Sequence, residues 1–309
     1  MKAHGFDSRI SLMIVQILLP LILAFIMFSL GLGLRIADFA RVLQFPKAFA
    51  VGITNQLILL PLIAFGLIKA FGITGDLAVG IMILSFCPGG VTSNVLTKIA
   101  RGNTPLSITL TAVVSLVSII TVPILVVLSV GYFMGMDAPE VNIHRLGFTM
   151  FLITAVPVLL GMLLTAKKAA LVERISHGVS RTAMVLFVLI VVAALAKNWD
   201  VFYGNLPALG EVLVLLNVIM LALGLITAYL MKLGPADATT ISIESGVQNG
   251  TLGIAIGALI VLNATESLPP TTVPAAVYSI IMYIVSVPFV YWRRKSGKGQ
   301  GTGQAPGLT

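Results

Sequence analysis

Glu244, Gln248 and Asn249 stand close together in the run Ile-Ser-Ile-Glu-Ser-Gly-Val-Gln-Asn-Gly-Thr, inside an otherwise apolar segment at 236–262. A charge at the centre of a bilayer costs at least about 2.5 kcal/mol, so a carboxylate there must be paired or protonated. Of the eleven acids only Glu244 reads as deep; the others fall in loops or near the ends of apolar runs. An earlier apolar segment carries a second interruption, Cys87-Pro88-Gly89-Gly90-Val91-Thr92-Ser93-Asn94. Two apolar helices broken at corresponding places point to a solute site near the membrane midplane.

The breaks have a chemistry of their own. Pro88 removes a backbone donor, and Gly89 and Gly90 permit non-helical dihedrals, after which Thr92 or Ser93 can cap the restarted half-helix. Gly246 and Gly250 flank Gln248-Asn249 in the same way. Each restarted half-helix turns a partly positive N-terminus toward the midplane, which favours an anionic group. The opposing carbonyl ends, with Glu244, favour a hard monovalent cation such as sodium, since a divalent ion would recruit more acids. Other polar residues allow plainer readings. Ser107, Thr111 or Thr121 alone would serve its own helix, and Gln56 could simply bridge two helices. Cys87 beside a kink is a small filler with nothing basic nearby to activate it. His4, His144 and His177 have no metal-ligand spacing.

These residues must be held by membrane helices. Of 309 residues 58% are hydrophobic and 10% charged, against about 25% charged in soluble domains, and the mean hydropathy is +1.07. The net charge of +8 is spread over short loops, with no basic arm of the kind that binds nucleic acid. Crossing the hydrocarbon takes about 20 apolar residues, and nine runs qualify, at 10–34, 47–69, 76–100, 104–131, 144–165, 179–197, 207–231, 236–262 and 271–292. Of the 19 Lys and Arg, fourteen (Arg35, Lys98, Arg101, Lys232 and Arg293 among them) fall on one side, and Lys2, Arg9, Lys69, Arg145 and Lys197 on the other. The positive side is cytoplasmic, so the expected placement is a cell (inner) membrane with the 1–9 tail outside and the 293–309 tail inside, the latter Gly-rich and read as disordered. Met1–Arg9 has no signal-peptide pattern, and the first helix is expected to act as its own insertion signal. Helices three and eight are five spans apart and so antiparallel, as in an inverted repeat; Pro123 in helix four and Pro288 in helix nine add to the match.

The motifs Cys-Pro-Gly-Gly-Val-Thr-Ser-Asn at 87–94, Ala-Arg-Gly-Asn at 100–103, Leu-Ser-Ile-Thr-Leu-Thr at 106–111, Glu-Ser-Gly-Val-Gln-Asn at 244–249 and Met-Phe-Ser-Leu-Gly-Leu at 27–32 together resemble the bile acid:sodium symporter family. The resemblance implies an all-α polytopic membrane protein with an inverted repeat, two crossed broken helices, and panel and core domains. The panel would be helices 1, 5 and 6 (10–46 and 132–205), and the core helices 2–4 and 7–9 (47–131 and 206–292). Against ten-helix bacterial members the chain is expected to lack the first helix. The resemblance implies two Na+ ions: one site from Ser93, Asn94, Ser107, Thr111 and Glu244, and another from Gln56, Glu244 and Gln248 with the main chain of Ser245 and Val247. Substrate would lie at Thr92, Asn94, Asn249 and Thr251. Met282-Tyr283 stand where some members carry His-Asn, so the anion is left open: a bile acid, or a small carboxylate such as pantoate or a keto acid.

The leading expectation is a sodium-coupled symporter of an organic anion, working by alternating access. One alternative is a proton-coupled exporter of arsenite or auxin type, using Cys87 or a protonatable Glu244. Another is a non-transporting membrane anion sensor. No nucleophile–base pair or multi-ligand metal motif suggests an enzyme. The charge asymmetry makes a direct prediction. With Cys87 replaced, a cysteine at Gly297 should resist impermeant thiol reagents in intact cells while one at Ala138 reacts. The reverse labelling would overturn the orientation, and labelling at both would require an even number of spans.

Overall fold

The structure, a computed structural model, describes residues 18–135, 142–260 and 268–296. Every regular element among them is helical. The expected outer tail at 1–9, the start of the first span, Ala138 and the tail from 297 onward lie outside the described residues. In chain order the helices are α1 (Leu19–Leu32), the short α2 (Ile36–Ala40), α3 (Pro46–Ala70), α4 (Gly75–Phe86), α5 (Val91–Ile99), α6 (Thr104–Met134) and α7 (Ile143–Met150, continuing to Lys167). There follow α8 (Ala169–Lys197), α9 (Trp199–Leu230), α10 (Pro235–Gly246), α11 (Gly250–Ile260) and α12 (Val273–Ser296).

Among the described residues six helices (α3, α6, α7, α8, α9 and α12) are long and apolar enough to cross a membrane, and α4 with α5 makes a seventh if that pair, bent by 61°, counts as one span. The expected helix three is this bent pair. Its break is shorter than the sequence suggests: Val91–Asn94 are helical, and only Cys87–Gly90 depart. In the second break Glu244–Gly246 remain helical and Val247–Asn249 depart. Two expected boundaries also move. Helix α8 starts at Ala169 rather than 179, and α9 at Trp199 rather than 207, because Pro207 sits inside the helix instead of opening it. The division at 205/206 therefore falls within one continuous helix. At the other end α12 runs on to Ser296, with Arg293 buried, so the expected tail does not begin at 293.

Prolines also explain two irregular turns. A π turn at Asn55–Leu59 precedes Pro61, and another at Phe151–Ala155 precedes Pro157. A proline lacks the N–H its helix needs and its ring crowds the carbonyl four residues back. A locally widened turn accommodates both, closed by Leu60 N–H to Asn55 and Val156 N–H to Phe151. The first of these turns carries Gln56. Elsewhere side chains cap the ends: Asn103 accepts from the Leu106 N–H at 3.1 Å to open α6, and Asn142 from the Arg145 N–H at 2.9 Å to open α7.

The helices pack into one continuous set, α8 resting on α11 and α12 as well as on α1, and α7 on α6. Helix α1 lies against α7 and α8, while the broken pairs α4–α5 and α10–α11 pack with α3, α6, α9 and α12. The contact of α1 with α7 is backbone on backbone. A Cβ on Gly161 would lie 2.5 Å from the Phe28 carbonyl oxygen and 2.8 Å from the Gly31 carbonyl carbon, and one on Gly31 would overlap the Val158 carbonyl. Small residues at such crossings replace the hydrophobic drive that helices lack in lipid. Gly161→Leu should therefore loosen α1 and lower stability by about 1–3 kcal/mol or more, read as a fall in the detergent melting temperature. Gly178→Ala on α8, where a Cβ meets nothing within 4 Å, should be neutral or slightly stabilising. Equal effects at both positions would refute the close crossing.

Candidate functional site

Glu244 sits two residues before the end of α10 and is 1% exposed. There the negative end of the half-helix dipole opposes its charge. Its partners are hydroxyls: Ser107 donates to Oε1 at 2.5 Å and Thr111 to Oε2 at 2.9 Å. Ser107 Oγ is at the same time 2.7 Å from Asn94 Oδ1 and 3.3 Å from Thr97 Oγ1. A serine has one proton to give, so the Asn94 and Glu244 oxygens compete for it. The Ser93 hydroxyl, beside the same carboxylate, is turned to the Gly90 carbonyl at 2.7 Å. The cluster thus offers more acceptors than its hydroxyls have protons to give, an arrangement that suits a bound cation.

Glycine lets the first break come close to these oxygens. A Cβ on Gly89 would lie 2.7 Å from Glu244 Oε2, 3.1 Å from Ser93 Oγ and 3.5 Å from Thr111 Oγ1. The space is walled by oxygens from α5, α6 and α10. All five residues expected at the first ion site, Ser93, Asn94, Ser107, Thr111 and Glu244, belong to this one cluster, and Thr97 joins them. Neither Thr92 nor Ser93 caps α5, contrary to expectation, since no side chain accepts from its first turn; the Ser93 hydroxyl reaches back to a carbonyl instead.

A second group of oxygens is left without partners. Gln56, in the first π turn, is 2% exposed, and among the described residues neither its Oε1 nor its Nε2 has a hydrogen-bond partner. Gln248, 1% exposed, donates from Nε2 to the Ser245 carbonyl at 2.9 Å and leaves Oε1 unpartnered. Asn55 Oδ1 is likewise orphaned, while its Nδ2 donates to Thr227 Oγ1 at 2.8 Å. An unmet buried polar group costs about 1–3 kcal/mol, so amide oxygens placed this way fit a hard cation. The π turn packs on both α4 and α10, and the Val247 main chain is fully buried beside Gln248.

The two breaks meet. The Asn249 N–H donates to the Pro88 carbonyl at 2.8 Å, and Asn249 Oδ1 caps α11 by accepting from the Leu252 N–H at 3.1 Å. Beside them a cavity of about 230 Å³ is enclosed by α1, α8 and both interruptions; Thr92, Asn249 and Thr251 line it, with Ser29, Ser180 and Tyr283. Asn94, the fourth residue expected at the substrate, lines an adjoining cavity of about 620 Å³ that shares Ser29 and Ser180 and reaches Arg35, Lys98 and Glu173. Asn94 therefore touches both the oxygen cluster and the crevice. Tyr283 hydrogen-bonds Thr92 across the crevice wall.

Several contributors escaped the sequence. Asn217, fully buried on α9, donates to the Gly246 carbonyl at 2.7 Å, and the Tyr278 hydroxyl donates to the same oxygen at 2.6 Å. They hold the open end of α10. Their signal was present, as an amide and a phenol inside apolar runs, yet nothing in the sequence pairs them with residue 246.

The profile of the Sodium Bile acid symporter family matches residues 20–205. The chain belongs to that family: it is a multi-pass membrane protein of a class of sodium-dependent transporters. It is similar to an uncharacterized sodium-dependent transporter of Bacillus subtilis, 29% identical over 293 residues that make up 94% of this chain and 88% of that protein. A hepatic sodium/bile acid cotransporter of Rattus norvegicus is 29% identical over 287 residues, 91% of this chain and 76% of the relative. A probable chloroplastic sodium/metabolite cotransporter of Arabidopsis thaliana is 30% identical over 281 residues, 88% of this chain and 66% of the relative.

The Gly89 space gives a sharp test. Gly89→Ala should put a methyl where the cation is expected and abolish thermal stabilisation by sodium while the fold remains intact. Gly90→Ala, whose Cβ meets nothing closer than Thr92 Oγ1 at 3.7 Å, should keep the sodium response. A sodium response in Gly89→Ala equal to that of the unsubstituted protein would remove the cation from this cluster.

Proposed function

We propose that the protein couples the inward movement of two sodium ions to uptake of an organic anion by alternating access. The observation that carries the reading is the proton-poor oxygen cluster around Glu244. The first ion would take Ser93, Asn94, Ser107, Thr111 and Glu244. The second would take Gln56, Gln248 and Glu244, with the carbonyls of Ser245 and Val247; the orphaned oxygens of Gln56 and Gln248 support it. The anion would sit in the crevice at Thr92, Asn94, Asn249 and Thr251, facing the starts of α5 and α11, where free N–H groups and the dipole favour negative charge. Bile acids and small carboxylates both remain within this class.

The proposed architecture has nine spans, counting α1 and the α10–α11 pair with the seven above. Helices α1, α7 and α8 form the panel, and the rest the core, with the two halves related by inversion. The larger cavity opens beside Arg35 and Lys98, residues of the basic side, which supports an inward-open state in a cell membrane with the C-terminus cytoplasmic. Rocking of the core against the panel would then close that side and open the other. No step asks for bond-making chemistry, and the protein is read as a carrier and not an enzyme.

Uptake of an anion into proteoliposomes under an imposed sodium gradient tests the reading. Glu244→Ala should abolish sodium-driven uptake with expression largely retained. Asn94→Ala or Thr111→Ala should weaken one sodium-binding event in calorimetry, and Gln56→Ala or Gln248→Ala the other. With two ions per monovalent anion, an inside-negative potential should accelerate uptake. Uptake that follows a proton gradient and ignores sodium would replace this reading with the exporter alternative. Binding of the anion without any uptake would favour the sensor. Identical loss of all sodium binding in every variant would merge the two ion sites.

A further inference from the structure

At the end of α12 stands a buried cation with only neutral partners. Arg293 is 9% exposed; its Nε donates to Thr239 Oγ1 at 2.9 Å, and its Nη2 to the Tyr229 hydroxyl at 3.0 Å and the Pro235 carbonyl at 3.1 Å. Asp237, one turn away on α10, is held elsewhere, its Oδ1 accepting from Asn103 Nδ2 at 2.8 Å. Arg293 makes no ion pair among the described residues. Its Nη1 takes no part in the three bonds and is not among the fully buried unpartnered atoms, so one edge of the guanidinium still reaches the surface. Removing a charge from water without a counter-charge is costly, and with Nε and Nη2 engaged the two Nη1 N–H groups remain to donate to a phosphate oxygen.

The surroundings say where the counter-charge comes from. The guanidinium carbon lies 5.3 Å from the centre of the Trp292 ring and 6.0 Å from that of Tyr229. Trp292, Tyr291 and Tyr229 are each about half exposed, and Leu230 is 75% exposed. Lys232, Arg294 and Lys295 stand exposed around them, with Lys295 Nζ 4.7 Å above the Tyr291 ring. Aromatic side chains of this kind mark the level of lipid headgroups. A soluble phosphate would use the basic groups and leave this apolar surface wet, whereas a phospholipid would cover both.

We propose that Arg293, Trp292 and Tyr229 form a binding site for the phosphate of an anionic phospholipid, with the acyl chains lying along Leu230 and Tyr291. The ligand neutralises Arg293 and pins the end of α12 to the turn between α9 and α10. This inference is independent of the ion and anion sites, since it uses none of their residues.

Trp292 is itself the reporter. With Trp199→Phe it is the one tryptophan left of the two in the chain, and lipids brominated on the acyl chains quench it on contact. In vesicles of equal brominated fraction, phosphatidylglycerol should quench Trp292 about fivefold more effectively than phosphatidylcholine, the preference expected for one basic group at the surface. Arg293→Gln should erase the preference and Arg294→Gln should keep it. If Arg293→Gln does not fold, Arg293→Lys, which keeps the charge but loses the three bonds that hold the guanidinium in place, should reduce it. Equal quenching by the two lipids in the Trp199→Phe protein with Arg293 intact overturns the proposal. So does a preference lost equally in Arg294→Gln, which would mean general surface charge. Loss of the preference in millimolar inorganic phosphate, at constant ionic strength, would make this a free-anion site and also overturn it.

Discussion

Inside a bilayer no water is at hand for a backbone group that leaves its helix, so each interruption must supply its own partners. Around the two breaks several such bonds are made, one between the breaks themselves and the others by their neighbours. Pro88 offers its carbonyl to the Asn249 N–H, Gly246 receives Asn217 and Tyr278, Gly90 receives Ser93, and Ser245 receives the Gln248 side chain. Because one break satisfies the other, α4–α5 and α10–α11 cannot move apart without exposing unpaired polar groups. On the proposed function the two pairs would move as one unit against α1, α7 and α8, of which α1 and α7 are held together by the close backbone contact of Gly31 and Gly161.

The same constraint sets the electrostatics. Opening a helix at residues 87–90 exposes the start of α5, and opening one at 247–249 leaves the end of α10 facing inward beside Glu244. The carboxylate is thus placed where its own helix disfavours it, among hydroxyls that cannot neutralise it. Such an arrangement is poor for stability and informative about function: buried polar sites that break the ordinary rules are where a ligand is expected. Gly89 is the clearest sign, since a side chain there would fill space that the protein leaves beside three oxygens.

Much of this was legible in the sequence because membrane helices have a strong signature. Glu244 stood out by being an acid in an apolar run, and the Pro-Gly-Gly of 88–90 by what it does to a helix. The length of the breaks was not legible. Val91–Asn94 and Glu244–Gly246 look like interruption by composition, yet packing of the two pairs keeps them helical. Pro207 reads as a helix start but lies inside α9, since a proline in the first turns of a membrane helix is tolerated when neighbours make up the lost bond. The π turn was invisible, because Pro61 alone does not say whether a helix kinks or widens; with it went the roles of Gln56 and its neighbour Asn55. Asn217 and Tyr278 act through contacts that span tens of residues in sequence and Thr97 through one across the turn to α6, and no local pattern encodes such pairings. Arg293 was misplaced for a related reason: charge and a Gly-rich sequel suggest a tail, but three hydrogen bonds draw it into the fold.

The lining of the smaller cavity carries the argument one step further. Among the described residues its lining holds no Lys, Arg or His, Arg35 and Lys98 standing in the adjoining larger cavity, although the proposed substrate is an anion. On the proposed function, positive charge close to the anion would come from two sources: the partial charges at the starts of α5 and α11, and the cations proposed a few residues away at Ser93, Asn94 and Gln248. A helix start contributes at most about half a unit charge and fades within a turn, which leaves the ions as the larger counter-charge. Asn94 and the Gln248–Asn249 pair stand between the two compartments, each with one side on the ion ligands and the other on the crevice. On this mechanism the coupling needs no long-range relay. The anion is held weakly where no cation is present to balance it, and by linkage the ions are held more tightly when the anion is bound. A permanent Lys or Arg in the cavity would tighten anion binding and, by making the ions unnecessary, uncouple the two.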